Sequence, residues 1–296
     1  IKAIFQASRK DYDIIHIHAL ASSCLAWIPK FIYKKHVIIT VHGLDWQRAK
    51  WGFIATQILK FGEWASVRFA SSTVCVSKSL SMYYKMKYVK NVIHYIPNGC
   101  DISEKSYSPL ETYKKDSYFL YLGRLVPEKG VHKLIEAYKK MNTGKSLIIA
   151  GPESDKAYAT SLKELANDNN NIIFTGPVYD EQKLRLLSNA YLFILPSEIE
   201  GLPIALLEAA SYGVCTAVSK IPTCEEVLEN TIIPCGFQFK TNSMQELQTV
   251  LSIAEESEFL VKNLGLKLKE QVKSFYNWDT ISTQSINAYK EVLNAS

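Results

Sequence analysis

The stretch that decides the fold is YLFILPSEIEGLPIALLEAA, residues 191–210. Its first five residues are aliphatic or aromatic, which predicts a buried β-strand at 191–195. A loop with two prolines and a glycine follows, and an apolar run typical of a helix begins after Pro203. A strand, a loop and a helix in this order predict one βα unit of a parallel sheet.

The same alternation extends in both directions and forms two series of strands separated by a polar linker at 98–115. Strands are predicted at 14–18, 37–41, 73–76 and 92–96, and then at 118–122, 146–150, 171–175, 191–195 and 215–218. Helices are predicted at 52–70 and from points near Gly130, Asp155, Asp180, Pro203 and Thr223. The pattern predicts an α/β protein with two doubly wound, Rossmann-like domains, at 1–110 and 111–276. A final helix at 277–296 is expected to pack back toward the first domain.

Length and composition agree with this organisation. The chain has 296 residues, of which 47% are hydrophobic and 21% charged, as expected for two globular domains. No apolar run approaches the roughly 18–20 residues of a membrane-spanning helix. The six cysteines are scattered without a C-x-x-C pair, which predicts reduced thiols in a cytoplasmic protein and neither a disulfide framework nor a zinc site.

Charge is distributed unevenly. Residues 1–110 contain 15 Lys and Arg against 6 Asp and Glu, whereas the remainder contains 19 against 23. One interpretation is an anionic partner for the basic half, either a phospholipid surface or a pyrophosphate-linked acceptor. The other is an ordinary solvated basic surface, because the basic residues form no dense cluster. No nucleic-acid partner is expected.

Two loops that follow predicted strands carry candidate site residues. The first, GRLVPEKG at 123–130, places Arg124 and Lys129 where the carboxyl end of a parallel strand would meet an anionic ligand. Gly123 permits the turn at the strand end. By itself a basic loop between a strand and a helix is weak evidence, and such a loop is more often a solvated turn.

The second loop is in the opening stretch and contains two glutamates. Glu200 precedes the helix, and Glu208 lies inside its apolar sequence, where a carboxylate needs a hydrogen-bond donor such as a sugar hydroxyl. Gly201 permits close backbone approach, and the free amides around Ile204 and Ala205 would face an anion. The alternative is that Glu200 caps the helix and Glu208 pairs with a nearby lysine.

Taken together, the motifs resemble those of family 4 retaining glycosyltransferases, and the resemblance covers nearly the whole chain. In order, they are the loop at 123–130, IIAGPE at 148–153, FTGPV at 174–178, EGLPIALLE at 200–208 and FYNW at 275–278. In the first half, VHGLDWQRAKWG at 41–52, VSK at 76–78 and PNG at 97–99 are similar to the acceptor-side domain of that family. The resemblance implies a GT-B architecture, with two Rossmann-like domains facing a cleft that binds the donor.

The resemblance also implies roles for individual residues. Arg124 and Lys129 would neutralise the donor diphosphate, with Gly123, Gly201, Leu202 and Ile204 in the donor-binding loops. Glu200 would hold hydroxyls of the transferred sugar, and Glu208 the ribose. Backbone around Gly176 and Val178 would flank the base. His42 would lie near the reacting carbon, whereas His16 and His18 are expected in the core or behind the site.

The expected reaction is retaining transfer of a hexosyl or deoxyhexosyl group from a nucleotide-sugar to a glycan or lipid-linked acceptor. Fixed cations and helix amides could stabilise the leaving phosphate without a metal ion, and no D-x-D motif lies between the strands. No cofactor is expected. Two other classes stay open: a nucleotide-sugar epimerase of the same architecture, and a non-catalytic nucleotide-sugar-binding fragment.

Two further expectations concern the substrates of the reaction and the N-terminus of the chain. The stretch 42–52 resembles a branch of bacterial surface-polysaccharide enzymes that includes rhamnosyltransferases, which implies work at the inner face of the cell membrane. The donor base is left open among uracil, thymine, guanine and adenine. The family's first domain opens with a strand and a glycine-rich loop that are not found here, so an N-terminal truncation is expected.

Overall fold

The structure is a computed structural model, and it describes residues 2–48, 50–89, 91–102, 105, 107–229 and 234–295. Outside the described residues lie Ala49 of the quoted stretch 41–52 and residues 103, 104 and 106 of the predicted linker. The chain divides into two compact units. Unit 1 comprises Ile1–Asn98 and Trp278–Ser296, and unit 2 comprises Gly99–Asn277. The chain thus passes from unit 1 into unit 2 after Asn98, at the beginning of the polar linker.

The described residues of unit 1 form a four-stranded parallel sheet in the order β1-β2-β3-β4. Its strands are β1 (Ile14–His18), β2 (His36–Val41), β3 (Ser72–Cys75) and β4 (Ile93–Tyr95), and its helices are α1 (Lys2–Ser8), α2 (Leu20–Ser23), α3 (Phe53–Arg68) and α4 (Lys78–Lys87). A π-helical turn covers Ile28–Ile32, and a 3-10 turn covers Asp45–Gln47. Continuous apolar runs form these strands because both faces of the sheet are covered.

The C-terminal helix α12 (Trp278–Asn294) completes unit 1 by covering one face of this sheet. Its apolar stripe packs with side chains that project from β2 and β3. The cluster contains Ile38, Val74, Ile96, Ile281, Ala288 and Val292. On the opposite face, Val37, Ile39 and Val41 pack with residues of the N-terminal helices, as the alternation of side chains along a strand requires.

Unit 2 contains a six-stranded parallel sheet in the order β10-β9-β8-β5-β6-β7. Its strands are β5 (Tyr118–Leu122), β6 (Ser146–Ala150), β7 (Ile172–Gly176), β8 (Leu192–Leu195), β9 (Cys215–Ser219) and β10 (Phe237–Phe239). Its helices are α5 (Val131–Lys139), α6 (Lys156–Ala166), α7 (Asp180–Ser188), α8 (Ile204–Ser211), α9 (Pro222–Leu228), α10 (Met244–Glu256) and α11 (Glu258–Phe275). The chain moves outward from β5 to β7 and returns to β8, beside β5.

The predicted elements agree with the structure to within one or two residues at their ends. The prediction missed helices α2 and α4 of unit 1, helices α10 and α11 of unit 2, and one strand of unit 2. This strand, β10, has three residues and pairs along one side with β9, so it is too short to produce a periodic pattern. None of the described helices is both long and apolar enough to cross a membrane. All six cysteines are free thiols, five of them buried.

Candidate active site

The sheet of unit 2 has a topological switch point between β5 and β8. Helical connections leave these two adjacent strands in opposite directions, which opens a crevice at their carboxyl ends, where doubly wound sheets bind ligands. A 3-10 turn at Pro127–Lys129 follows β5, and the loop 196–203 follows β8. Both loops predicted to carry the site therefore reach the same crevice.

Lys129 and Glu200 meet at this switch point. The ammonium group of Lys129 donates a short hydrogen bond to Oε1 of Glu200 and forms an ion pair with it. Only 13% of the Lys129 side chain and 8% of the Glu200 side chain are exposed. The two residues are 71 positions apart in the chain, so tertiary folding alone brings these two predicted catalytic residues together.

The two loops are held against each other by contacts that surround the ion pair. The backbone N–H of Glu198 donates to the carbonyl of Glu128 at 2.9 Å. The ammonium of Lys133, on α5, lies 2.6 Å from Oε1 of Glu198. Gly130 has φ +66°, and a Cβ atom there would lie 2.2 Å from the carbonyl oxygen of Pro196. Only glycine fits this close approach without displacing backbone, so the last residue of GRLVPEKG sets the spacing of the crevice.

Arg124 lies at the same edge but is exposed. Its guanidinium makes no hydrogen bond or ion pair with any residue that the structure describes. The phenol of Tyr121 donates to the carbonyl of Arg124 at 2.9 Å. Burial, and then the nearby charge of Glu200, raise the pKa of Tyr121 well above its ordinary value. The neutral phenol therefore fixes the loop while the guanidinium stays open to solvent.

Three glycines line the carboxyl edge of β5, β6 and β7. The N–H of Gly123 donates to Ala150, and the N–H of Gly151 donates to Gly176, both at 2.9 Å. Gly151 has φ +148°, and a Cβ atom on it would lie 1.9 Å from the carbonyl oxygen of Gly123. Gly176 has φ +70° and faces open space. Val178, two residues further on, is buried. The backbone at Gly123 and Gly176 therefore belongs to the same sheet edge as Lys129.

The remaining donor-site predictions lie at the start of α8. Leu202 is buried, Gly201 precedes it in the loop, and Ile204 is exposed as the first helical residue. The carbonyl of Pro203 accepts from Leu206 and Leu207. Among the described residues, no acceptor meets the N–H groups of Ile204 or Ala205. Such free amides give the helix N-terminus its partial positive charge.

Glu208 follows the second of the two interpretations given from sequence. Its Oε1 atom lies 2.6 Å from the ammonium of Lys183 on α7, and about a quarter of each side chain is exposed. It is therefore not the fully buried carboxylate that an apolar helix suggested. Glu200 also does not cap the helix: Pro203 is the N-cap residue and no side chain caps it.

In unit 1, the carboxyl ends of β1 and β2 carry a group of three histidines. Nδ1 of His18 lies 3.1 Å from Nε2 of His42, and the two rings are stacked. His16 stacks on the other side of His18, with ring centroids 4.4 Å apart. The nitrogens of His16 lie 2.7 Å from the hydroxyls of Tyr289 and Thr40. His42 is thus the outer member of a chain of polar rings.

His18 was expected either in the core or behind the site, and its contact with His42 corresponds to the second position. His16 is half-buried, whereas His18 is exposed and contacts His42 directly. Residues at every second position of an edge strand share one face, yet the face opens to solvent at the strand's end. Sequence alternation identified the shared face and did not show where it stops being covered.

Partial loss of hydration lowers the pKa of all three imidazoles, although His18 and His42 are exposed on the surface. It lowers the pKa of His16 to about 4, with further contributions from His18 and His42. Burial also lowers the pKa of His18 and, together with His18, that of His42, whereas Asp45 opposes the shift of His42. Neutral rings can both donate and accept hydrogen bonds. Within the described residues, no group of three or more His, Cys, Asp or Glu side chains is arranged to hold a metal ion.

The histidines line a cavity of about 190 Å³ inside unit 1. Asn98, from the PNG motif, and Trp278 and Tyr289, from α12, contribute to its wall. The sequence motifs contain Trp278 only as the last residue of FYNW and do not contain Tyr289. Tyr289 meets His16 across 273 positions of the chain, so no local sequence pattern indicated this contact.

Comparison with known proteins identifies the family to which the chain belongs. Residues 103–274 match the family model described as glycosyl transferases group 1, and residues 1–104 match that of glycosyltransferase family 4. An uncharacterised glycosyltransferase of Methanocaldococcus jannaschii is 25% identical over 301 residues, which cover 94% of this chain and 75% of the relative.

Two further proteins are similar over different lengths. The N,N'-diacetylbacillosaminyl-diphospho-undecaprenol alpha-1,3-N-acetylgalactosaminyltransferase of Campylobacter jejuni is 24% identical over 241 residues, 77% of this chain and 62% of that enzyme. The crystal structure of Anabaena HepE in complex with UDP and glucose matches with a TM-score of 0.84 and 18% identity, over 98% of this chain and 80% of that one. The structural likeness concerns the fold. The chain therefore belongs to glycosyltransferase family 4, and it is a glycosyltransferase with the GT-B fold.

Proposed function

We propose that the chain is a retaining, metal-independent glycosyltransferase that moves a hexosyl or deoxyhexosyl group from a nucleotide-sugar to a glycan or lipid-linked acceptor. The observation that carries the proposal is the ion pair of Lys129 and Glu200 at the switch point. One partner offers a cation to a phosphate, and the other offers a carboxylate to sugar hydroxyls. A nucleotide-sugar contains both groups, joined at the bond that breaks.

The donor diphosphate is assigned to Arg124 and Lys129. Negative charge develops on the phosphate as the glycosidic bond breaks, so cations held nearby stabilise the transition state more than the ground state. The exposed guanidinium of Arg124 is available to the phosphate, and the amides of Ile204 and Ala205 add partial positive charge. These groups supply the neutralisation that other enzymes obtain from a divalent ion.

Glu200 is assigned to the hydroxyls of the transferred sugar. Its Oε1 atom is occupied by Lys129, while Oε2 makes no hydrogen bond with a residue in the described ranges. A carboxylate can accept several hydrogen bonds at once, so Oε2 can hold a sugar hydroxyl without losing Lys129. Glu208, with Lys183 on Oε1, is assigned in the same way to the ribose.

Retention follows from a step on one face of the sugar. The bond between the anomeric carbon and the phosphate oxygen breaks, the bond to the acceptor oxygen forms, and the acceptor proton passes to the departing phosphate. Glu200 is an orienting group in this scheme, since its carboxylate is already bound by the ammonium of Lys129. His42, with its ring set by His18, is assigned to the transferred sugar.

Two relatives suggest chemical classes for the substrates. The HepE complex contains UDP and glucose, which makes a uridine diphosphate sugar the first donor to test. The name of the Campylobacter enzyme specifies a diphospho-undecaprenol acceptor. A lipid-linked acceptor agrees with the basic first half of this chain. It supports the proposal that the reaction belongs to surface-polysaccharide synthesis at the inner face of the cell membrane.

Thermal unfolding in the presence of UDP, dTDP, GDP and ADP tests the donor site. A nucleotide at about a hundred times its Kd adds about 2.7 kcal/mol to the free energy of unfolding. We expect one nucleotide to stabilise the parent chain and the control variant Lys163→Ala, whose lysine forms an exposed ion pair on α6, but not Arg124→Ala. Equal stabilisation of Arg124→Ala would contradict the assignment of the diphosphate.

Product analysis tests the reaction itself. Proton NMR of the anomeric signal should show the donor's configuration preserved in the product, and no covalent sugar should be trapped on Glu200. An inverted product or a glycosyl-Glu200 adduct would overturn the mechanism. With donor alone, slow hydrolysis is expected. An epimerised donor would instead indicate the epimerase alternative, and an unchanged donor a binding fragment.

A further inference from the structure

The exposed face of α3 in unit 1 is unusually apolar for a surface helix, although Gln57, Lys60 and Arg68 are exposed on it as well. Five large side chains, Phe53, Ile54, Ile58, Phe61 and Trp64, are exposed on it. We call them the apolar face of α3. At 100° per residue they lie within an arc of about 140°. Phe53 is 79% exposed and Ile54 is 75% exposed. An ordinary surface helix has the opposite polarity.

The buried face of the same helix explains why it keeps this orientation. Glu63 points inward and is buried. Its carboxylate accepts hydrogen bonds from Trp46 at 2.8 Å, Lys87 at 2.7 Å, and the phenols of Tyr83 and Tyr88 at 2.9 Å each. Burial alone would raise the pKa of Glu63, but these bonds, led by that from Lys87, hold it below its ordinary value. The polar network therefore fixes the rotation of α3 with its apolar face outward.

The apolar face continues beyond the helix as a row of aromatic rings. The rings of Phe61 and Trp64 lie 5.4 Å apart, those of Trp64 and Phe69 5.4 Å, and those of Phe69 and Phe31 5.8 Å. Phe31 belongs to the π-helical turn and is itself exposed, as is Ile32. The row makes one continuous surface from two elements, larger than the scattered apolar residues that are normal on a protein surface.

The chain segment that carries this surface is basic, although Asp11, outside the segment, lies 3.9 Å from Lys35. Between residues 20 and 71 the acidic residues are Asp45 and Glu63. Asp45 lies 3.2 Å from the guanidinium of Arg48, and Glu63 is buried and bound to Lys87. The same segment contains seven basic residues: Lys30, Lys34, Lys35, Arg48, Lys50, Lys60 and Arg68. Of these, Lys60 and Arg68 are exposed on α3 itself.

We propose that the apolar face of α3 docks unit 1 onto an anionic phospholipid bilayer. Phenylalanine and isoleucine would enter the boundary of the acyl chains, tryptophan would lie at the headgroup level, and the lysines and Arg68 would meet lipid phosphates. Charge complementarity selects this occupant over a second copy of the chain, since two copies would bring the same basic surface together. A membrane-docking surface would bring the enzyme to the proposed lipid-linked acceptor. Only this biological purpose of the docking surface rests on the proposed function.

Co-sedimentation with vesicles tests the docking surface. The probes are vesicles of phosphatidylcholine alone and vesicles with about a third phosphatidylglycerol. We expect the parent chain to prefer the anionic vesicles about tenfold or more, and salt raised from about 0.1 M to about 1 M to weaken that binding. The double variant Phe53→Ser, Ile54→Ser should lose about tenfold or more in vesicle affinity. Charge reversal in Lys60→Glu, Arg68→Glu should abolish the preference for anionic lipid.

The matched control is Phe259→Ser, Leu266→Ser, which removes two exposed apolar side chains from α11 in unit 2. Its vesicle binding should equal that of the parent. Equal losses in this control, or equal binding of both vesicle types, would overturn the proposal. So would a dimer of the parent chain that becomes monomeric in Phe53→Ser, Ile54→Ser, since a second copy would then cover the face.

The docking surface and the proposed donor site can be refuted independently of each other. Each surface variant should keep the nucleotide-induced thermal shift of the parent, which shows that it is folded and leaves unit 2 intact. Vesicle binding without any nucleotide effect would remove the proposed donor while the docking surface stands. A nucleotide effect without vesicle binding would remove the docking surface and leave glycosyl transfer in place.

Discussion

The two parallel sheets end in very different chemistry, although both present their site residues at the carboxyl ends of strands. In unit 2 the edge carries charges, and two of them are paired with little access to solvent, Lys129 and Glu200. In unit 1 the edge carries stacked imidazoles whose pKa values burial lowers, so that they are neutral near pH 7. One edge therefore suits an ionic ligand and the other a neutral, hydroxyl-bearing one.

The difference follows from the stability of each arrangement. A half-buried cation persists when a carboxylate accompanies it, because the pair compensates the loss of hydration. A half-buried imidazole needs no counter-ion, since it can lose its proton near neutral pH. Substitutions at the two edges should therefore act differently. In unit 2 they leave an unpaired charge, whereas in unit 1 they remove a neutral ring.

The largest effect is expected from Lys129→Ala. The substitution removes a donor-phosphate ligand and leaves Glu200 as a nearly buried carboxylate without its partner. The transfer rate should fall about a thousandfold, and the free energy of unfolding by about 3 kcal/mol. Initial rates and urea unfolding measure the two effects. Lys163→Ala, which breaks an exposed pair, should leave both almost unchanged, and a similar loss there would refute the special role of the switch-point pair.

The next effect concerns the outer histidine of unit 1. His42→Ala should lower the transfer rate about a hundredfold, because it removes the group assigned to the transferred sugar. The free energy of unfolding should change little, since the His42 side chain is exposed. Rates are to be measured with the donor identified by the thermal shifts. A rate near that of the parent would remove His42 from the reaction.

His18→Ala should have a smaller effect, about tenfold on the rate, because His18 acts through His42. A positioning role predicts a signature that a merely structural one does not. The ring-nitrogen NMR signals of His42 should shift toward a mixture of tautomers when the partner at 3.1 Å is lost. Unchanged signals would show that His18 does not set the tautomer of His42.

The sequence predicted the residues of the charged edge in unit 2 better than those of the imidazole edge in unit 1. The reason is that the residues of the charged edge lie in short local motifs. Arg124, Lys129 and Glu200 lie in short loops beside glycines and prolines, so each motif contains its own turn signal. The approach of Gly130 to Pro196 and the pairing of Glu208 with Lys183 depend on tertiary packing. Tyr289 meets His16 across 273 positions, a contact that no local pattern encodes.

The free energy of unfolding below neutral pH should also reflect the imidazoles of unit 1. The pKa of His16 falls from 6.5 when exposed to about 4 in the folded protein. Between these values the unfolded chain binds more protons, so the folded state loses stability as pH decreases. We expect a loss on the order of 2 kcal/mol between pH 6.5 and pH 4, after a discount for partial exposure. Urea unfolding of the parent and of His16→Gln should differ in this slope, and equal slopes would contradict a neutral, buried His16.

The smallest effect is expected from the second lysine–glutamate pair of unit 2. Lys183 and Glu208 are each about a quarter exposed, so Lys183→Ala should change the free energy of unfolding by less than about 1 kcal/mol. The pair still separates the two interpretations of Glu208. If Glu208 holds the ribose, Glu208→Gln should weaken nucleotide binding about tenfold, because a charged acceptor is lost, while Lys183→Ala changes it about threefold or less. Isothermal titration of the stabilising nucleotide measures both. Equal, small changes would assign Glu208 to the fold alone, and the donor site would then rest on the switch-point pair and Arg124.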